Sequence, residues 1–182
     1  MKKTLIIIAG VVAALIVGVV IFLGYMGMFG SLEVTKKEMG PYTVAYESFV
    51  GPYHETGPVF DRVNQQLEKA GIKAEIGLGI YYDNPSQVPA DELRSDCGSV
   101  LPPETASNIE VLKTKLKIKT IEKQPSLVIE FPIKNALSYM LGPMKAYPTL
   151  NEYTKQNNLE FAMTYEVYDM SNNMMYYVAI LK

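Results

Sequence analysis

Apolar residues follow three patterns along this chain, and the first is an unbroken run. From Leu5 to Phe29 about 25 residues pass without a charge, enough for a helix to cross a hydrocarbon layer of roughly 30 Å with some tilt. A cleaved signal peptide is the rival reading. Its apolar region is usually about 7–15 residues and ends in a small-x-small site, whereas this run ends Tyr25-Met26-Gly27-Met28-Phe29-Gly30-Ser31. The expectation is an uncleaved single-pass membrane anchor over residues 1–30, inserted through residues 5–29. Lys2 and Lys3 lie closer to the run than Lys36 and Lys37, which favours an inside N-terminus and an extracytoplasmic soluble domain. Residues 31–40 read as a short polar linker.

After Pro41 the other two patterns, strand alternation and helical spacing, follow one another twice. Tyr42–Val50 is β-branched and aromatic, as a strand requires. A turn at Gly51-Pro52 leads to a helix from Gly57-Pro58 to Ala70, with Val59, Phe60, Val63 and Leu67 at helical spacing and Gly71 closing it. Ile76–Asp83 and Leu93–Leu101 are the next strands. The second copy has a strand at Leu127–Ile133, a helical segment over Ala136–Asn157 in which Pro148 predicts a kink or break, and strands at Phe161–Asp169 and Met174–Leu181. Gly142-Pro143 repeats Gly57-Pro58, and Tyr168-Asp169 repeats Tyr82-Asp83 at nearly the same offset.

This predicts an α+β domain over residues 41–182. Duplicated β-α-β-β units form an antiparallel sheet with two helices on one face, and the other face is free. Lys113–Lys123 alternates lysine with apolar residues or threonine and reads as an edge strand guarded by its charges.

Composition narrows the chemistry. Formal net charge is -2, so no field favours phosphate backbones and nucleic acid is not an expected partner. Cys97 is the only cysteine and His54 the only histidine, which leaves no disulfide, no multi-cysteine metal site and no evident serine triad. Cys97 reads as a small buried hydrophobe. Arg94 and Asp96 could pair on one face. Tyrosine is abundant at 13 residues and tryptophan absent, suiting a surface that is both apolar and hydrogen-bonding.

The most informative stretch is Leu159–Asp169. Phe161, Met163, Tyr165 and Val167 form an apolar face; Ala162, Thr164, Glu166 and Tyr168 form the other. Glu166 is either solvated on an open sheet face or the polar anchor of an aromatic cleft. Glu47 and Glu130, each in the opening strand of its half, could form a second carboxylate set or be solvated.

The strings GPYHETGPVFDRVNQQLEKAG and GIYYDNPSQVPADELRSDCG, with the later YEVYD, resemble the GyrI-like small-molecule-binding family. This fold also forms the effector-binding domain of bacterial multidrug-responsive transcription activators and is related to the SOUL haem-binding proteins. The resemblance implies a cleft between the halves, with a glutamate on the penultimate strand contacting cationic aromatic ligands; Glu166 of YEVYD matches that position. Tyr168 shares its face, Tyr82 matches Tyr168 in the first half, and Tyr46 and Tyr139 would complete the wall. His54, just before the first helix, reads as a surface or capping residue rather than a haem ligand, so no cofactor or metal is expected.

The function so implied is capture of amphipathic ligands, cationic ones among them, by a membrane-anchored protein that need not be an enzyme. One alternative is a GyrI-like hydrolase of small electrophiles with Glu166 as general base, although the tryptophan typical of such members is missing. Another is a non-catalytic interaction scaffold. The sequence names no protein partner.

Overall fold

The computed structural model describes residues 2–182, apart from the side chains of 106–108 and 111. Its elements are helix α1 (Lys2–Tyr25), strands β1 (Thr35–Met39) and β2 (Tyr42–Val50), helix α2 (Gly57–Lys69), strands β3 (Ile76–Tyr81) and β4 (Arg94–Val100), the short helix α3 (Ile109–Leu112), strands β5 (Lys117–Ile121) and β6 (Gln124–Pro132), helix α4 (Ser138–Gln156), and strands β7 (Phe161–Asp169) and β8 (Met174–Leu181).

The eight strands form one sheet in the order β1-β6-β8-β7-β3-β4-β2-β5, and every neighbouring pair is antiparallel. The order reads as two matching halves meeting at β3 and β7, each a β-α-β-β unit with one added edge strand. β5 is the edge of the first half, as the lysine alternation predicts. β1 is the edge of the second and falls within the expected linker. Its residues pair with β6 from Thr35↔Val128 to Met39↔Gln124; satisfying the backbone of β6 is a tertiary demand that a charged stretch of five residues does not announce.

Both helices lie on one face, α2 against β2 and β4, α4 against β6 and β8. Alternation places Leu127, Ile129, Phe131, Met175 and Tyr177 under Leu141, Ala146 and Leu150 of α4. Ala45 packs with Val63 and Leu67 of α2. The opposite face is not free. Val44, Leu78, Ile80, Val128, Tyr165, Val167 and Val178 are buried there without a helix, because the sheet curls on itself. Tyr42 on β2 meets Tyr165 on β7 edge to face at 6.3 Å, with two strands between them in the order.

In α4, Pro143 and Pro148 are accommodated without a break. A bulge between Phe161 and Met163 shifts the start of β7. Phe161 therefore packs with the helix-side core and Met163 with the other, not both on one face as unbroken alternation predicts.

Candidate functional site

A row of paired residues crosses the helix-bearing face: Glu47, Cys97, Gly79, Glu166, Tyr177 and Ile129. Glu166 is near its middle, at the seam between the halves. At one end, Glu47 accepts hydrogen bonds from Arg62 Nε (3.0 Å) and Gln66 Nε2 (3.1 Å) on α2, so its role is to hold that helix. Glu130 is on the opposite face, paired to Lys37. The two carboxylates thus form no set.

Glu166 is 4% exposed. Tyr147 of α4 donates to its Oε1 at 2.7 Å and Tyr168 donates to its Oε2 at 2.7 Å. The Tyr168 hydroxyl lies 3.0 Å from that of Tyr81; since Tyr168 donates to the acid, Tyr81 donates to Tyr168. Burial pushes the Glu166 carboxyl up to about 7, against the two tyrosine hydrogen bonds, which favour the ionised form. Burial, and then the neighbouring carboxylate, holds the Tyr147 and Tyr168 hydroxyls far above their ordinary range, so they stay protonated donors.

Rings surround this chain of hydroxyls. Tyr53 packs on Tyr81 (4.8 Å between centroids), Phe60 of α2 on Tyr168 (5.5 Å), and Tyr139 of α4 on Tyr168 (5.9 Å). The Tyr81 ring folds back over Gly79, within 3.0 Å of where a Cβ would stand. A side chain at position 79 would push that ring aside.

Of the tyrosines expected around Glu166, Tyr168 touches it and Tyr139 packs on Tyr168 at the rim. Tyr82 and Tyr46 do not join them. Both lie on the opposite face, where the Tyr82 hydroxyl donates to Asp96 (2.6 Å) and Lys119 stands over the Tyr46 ring (4.2 Å). The sequence match of Tyr82 with Tyr168 ignores side-chain parity: Gly79 pairs with Glu166, so Tyr81, two residues on, shares their face, whereas Tyr82 does not. The alternating glycines Gly77 and Gly79 were the available signal, since they make room for the rings of Tyr168 and Tyr81 on that face. Tyr147 has a weaker one, two helical turns beyond Tyr139.

Arg94 and Asp96 do not pair with each other either. Arg94 forks onto Asp83 (2.7 and 3.0 Å) and Asp96 binds Lys119 (2.5 Å). His54 is exposed beside Glu55, and Cys97 is fully buried. Among the described residues no group of three or more His, Cys, Asp or Glu side chains could hold a metal ion. Two shallow surface depressions, at Lys36–Glu38 with Pro125 and Ser126, and at Gly71–Lys73 with Pro102 and Glu104, lie away from Glu166.

Paired β-α-β-β units with both helices on one face of a single antiparallel sheet set the class of the fold, and the family follows from the sequence. Residues 32–178 match the family described as GyrI-like small molecule binding domain, and the chain belongs to that family. It is 31% identical over 171 residues to human testis-expressed protein 264, covering 89% of this chain and 53% of that protein. It is 35% identical over 81 residues to the DNA gyrase inhibitor of Yersinia enterocolitica, covering 41% of this chain and 52% of that one. The chain thus spans about half the length of the curated relatives it matches. Among solved structures, the EcmrR C-terminal domain superposes with a TM-score of 0.61 at 13% identity, covering 83% of this chain and 98% of that one. SAV2435 does so at 0.52 and 13%, covering 82% and 94%. Both show the shared fold.

Proposed function

We propose that this chain is a membrane-anchored protein that captures amphipathic, cationic compounds between α2 and α4, with Glu166 as the charge partner and Tyr168, Tyr147, Tyr81 and Tyr139 as the aromatic wall. One observation carries the reading: Glu166 is a buried acid whose described partners are hydroxyls, with no cation beside it among the described residues. A carboxylate out of water is costly without a counter-charge. A lipophilic cation supplies one, and the rings add cation–π attraction of about 0.5–2 kcal/mol. Entry requires at least one tyrosine hydroxyl to leave the acid.

Tetraphenylphosphonium, the compound bound in the structure of SAV2435, is the natural probe. Because the chain has no tryptophan, its emission is that of its 13 tyrosines, four of which line the site. Saturable quenching by tetraphenylphosphonium is expected in the wild type and about tenfold weaker binding in Glu166→Gln. Equal binding by both proteins would refute the reading.

A carboxyl near neutrality also suits a general base, which favours a hydrolytic reading of the same site. Turnover of an activated ester by the wild type and its loss in Glu166→Gln would select hydrolysis over capture.

The anchor reading is supported by the junction rather than by α1 alone, whose length and apolar composition would equally suit a signal sequence. Met26 is 1% exposed within the core beneath α4, joined there by Met28, Leu32 and Val34. Cleavage beyond Met26 would remove part of that core. An extracytoplasmic domain is expected to be digested by protease added outside intact cells.

A further inference from the structure

The chain from Tyr25 to Gly30 is fastened to α4 and the residues just before it. Lys134 donates to the Tyr25 carbonyl and stands over the Tyr25 ring at 4.4 Å. Asn135 Nδ2 reaches Met26 Sδ at 3.3 Å. Lys145 donates to the carbonyls of Gly27 and of Gly30, the latter at 2.6 Å. The Lys134 bond caps the last carbonyl of α1, and the Lys145 bonds hold the turn that follows it. The domain is therefore held against the end of α1 rather than hung from a loose tether.

Among the described residues, most of the exposed large apolar side chains beyond α1 gather at the start of this same helix and the turn facing it: Leu137, Tyr139, Met140, Met144 and, after β7, Met170. Met140 is 55% exposed and Met144 60%. Tyr139 and Met170 touch, hydroxyl to sulfur, at 3.6 Å. Between Glu130 and Glu152 the sequence has no acidic residue, and its only charges are Lys134 and Lys145. A helix segment that is apolar, has no acid of its own and is charged only by lysines suits a lipid headgroup boundary, and Tyr25 and Phe29 at the end of α1 suit the same depth.

We propose that the first half of α4, with Met170, rests in the lipid–water interface of the bilayer that α1 crosses, so that the Tyr139 rim of the Glu166 site opens at the membrane surface. The occupant of the patch is the bilayer itself, because the segment fastened beside it leads directly into α1. This inference depends on the anchor reading above. It narrows the ligand class to compounds already dissolved in the membrane boundary.

The test uses the absence of tryptophan. Full-length Met140→Trp, Met144→Trp, Leu15→Trp and Val50→Trp proteins are reconstituted into phosphatidylcholine vesicles, part of whose lipid carries bromine on its acyl chains. Val50 is an exposed position on the other half of the domain. Bromine is expected to cut emission of the Met140→Trp and Met144→Trp proteins at least about twofold, with Leu15→Trp quenched as strongly and Val50→Trp unaffected. Quenching at position 15 without quenching at 140 and 144 would overturn the inference and leave the anchor standing. No quenching at position 15 would remove the anchor, and the inference with it. Emission at 140 and 144 shielded from aqueous quencher but untouched by bromine would assign the patch to a protein contact, such as a second copy, and also overturn it. Two positions are used so that misfolding of one variant leaves the other to decide.

Discussion

At the scale of a single residue, Glu166 combines two opposing effects. Burial favours its protonated form, whereas hydroxyls on both oxygens favour the carboxylate, and burial prevails, bringing the group to about 7. The sign of two pH effects follows. Capture of a cation needs the anion, so affinity for tetraphenylphosphonium is expected to rise as pH increases through about 7 and level off above it; titrations at several pH values would show this. Stability moves the other way. Between the ordinary carboxyl value of 4.5 and about 7, the folded protein keeps a proton that the unfolded chain has released. Stability therefore falls as pH rises across that window, by about 3 kcal/mol in all. Glu166→Gln has no such proton to lose, so its Tm should gain on the wild type as pH is raised from the lower end of the window to the upper. On the opposite face, burial alone would raise Asp96, but hydrogen bonds from Lys119, Tyr82 and Ser48 outweigh it and hold the acid below its ordinary value. Lys119→Met leaves this acid without its cation and is expected to lower stability by about 1–2 kcal/mol, less than for a fully buried pair because Lys119 is partly solvated. Urea unfolding would measure it.

At the scale of elements, two glycines, one inside a strand and one opening a helix, behave oppositely. A Cβ on Gly98 would stand 1.9 Å from the Ala45 carbonyl and 2.7 Å from the Tyr46 Cα across the β2–β4 pair. Backbone atoms inside a sheet cannot yield, so Gly98→Ala is expected to cost about 3 kcal/mol and to reduce soluble yield. At Gly57, which opens α2, a Cβ meets nothing within 4 Å. Gly57→Ala should be neutral or stabilising by about 0.5 kcal/mol through the unfolded state. Thermal melts of the two variants give the contrast. The Gly-Pro motif that helped reveal the duplication also serves different ends in its two copies. Gly142 lies against the Tyr177 hydroxyl, with a Cβ position only 2.1 Å away, so it sets how closely α4 approaches β8. Gly57 has no such neighbour.

At the scale of the whole molecule, the line between the apolar N-terminal run and the domain is displaced from where polarity changes along the chain. Met26 lies at the end of the apolar run yet belongs to the core under α4, and β1 completes the sheet beyond it. Met26→Ala is expected to destabilise the domain by about 2–4 kcal/mol, read by the onset of proteolysis in membranes on heating. A domain that had lost its first 30 residues would be indifferent to that change, so the measurement also tests whether α1 is retained.

The sequence by itself determined what depends on local periodicity: the apolar run that became α1, the doubled β-α-β-β order, the lysine-edged β5, and the placement of Glu166 and Tyr168 on one face. Each follows from spacing of two or 3.6 residues, which the backbone imposes whatever the surroundings. Tertiary structure decided what depends on register and curvature. It brought Gly79 opposite Glu166, and so placed Tyr81 rather than Tyr82 at the seam; it carried Tyr147 onto the acid from a helix; and it curled the sheet so that its second face became core, burying Tyr42 against Tyr165 and leaving Tyr46 with Lys119. A shift of one residue exchanges the two faces of a strand, and one strand's sequence does not contain the position of its neighbour.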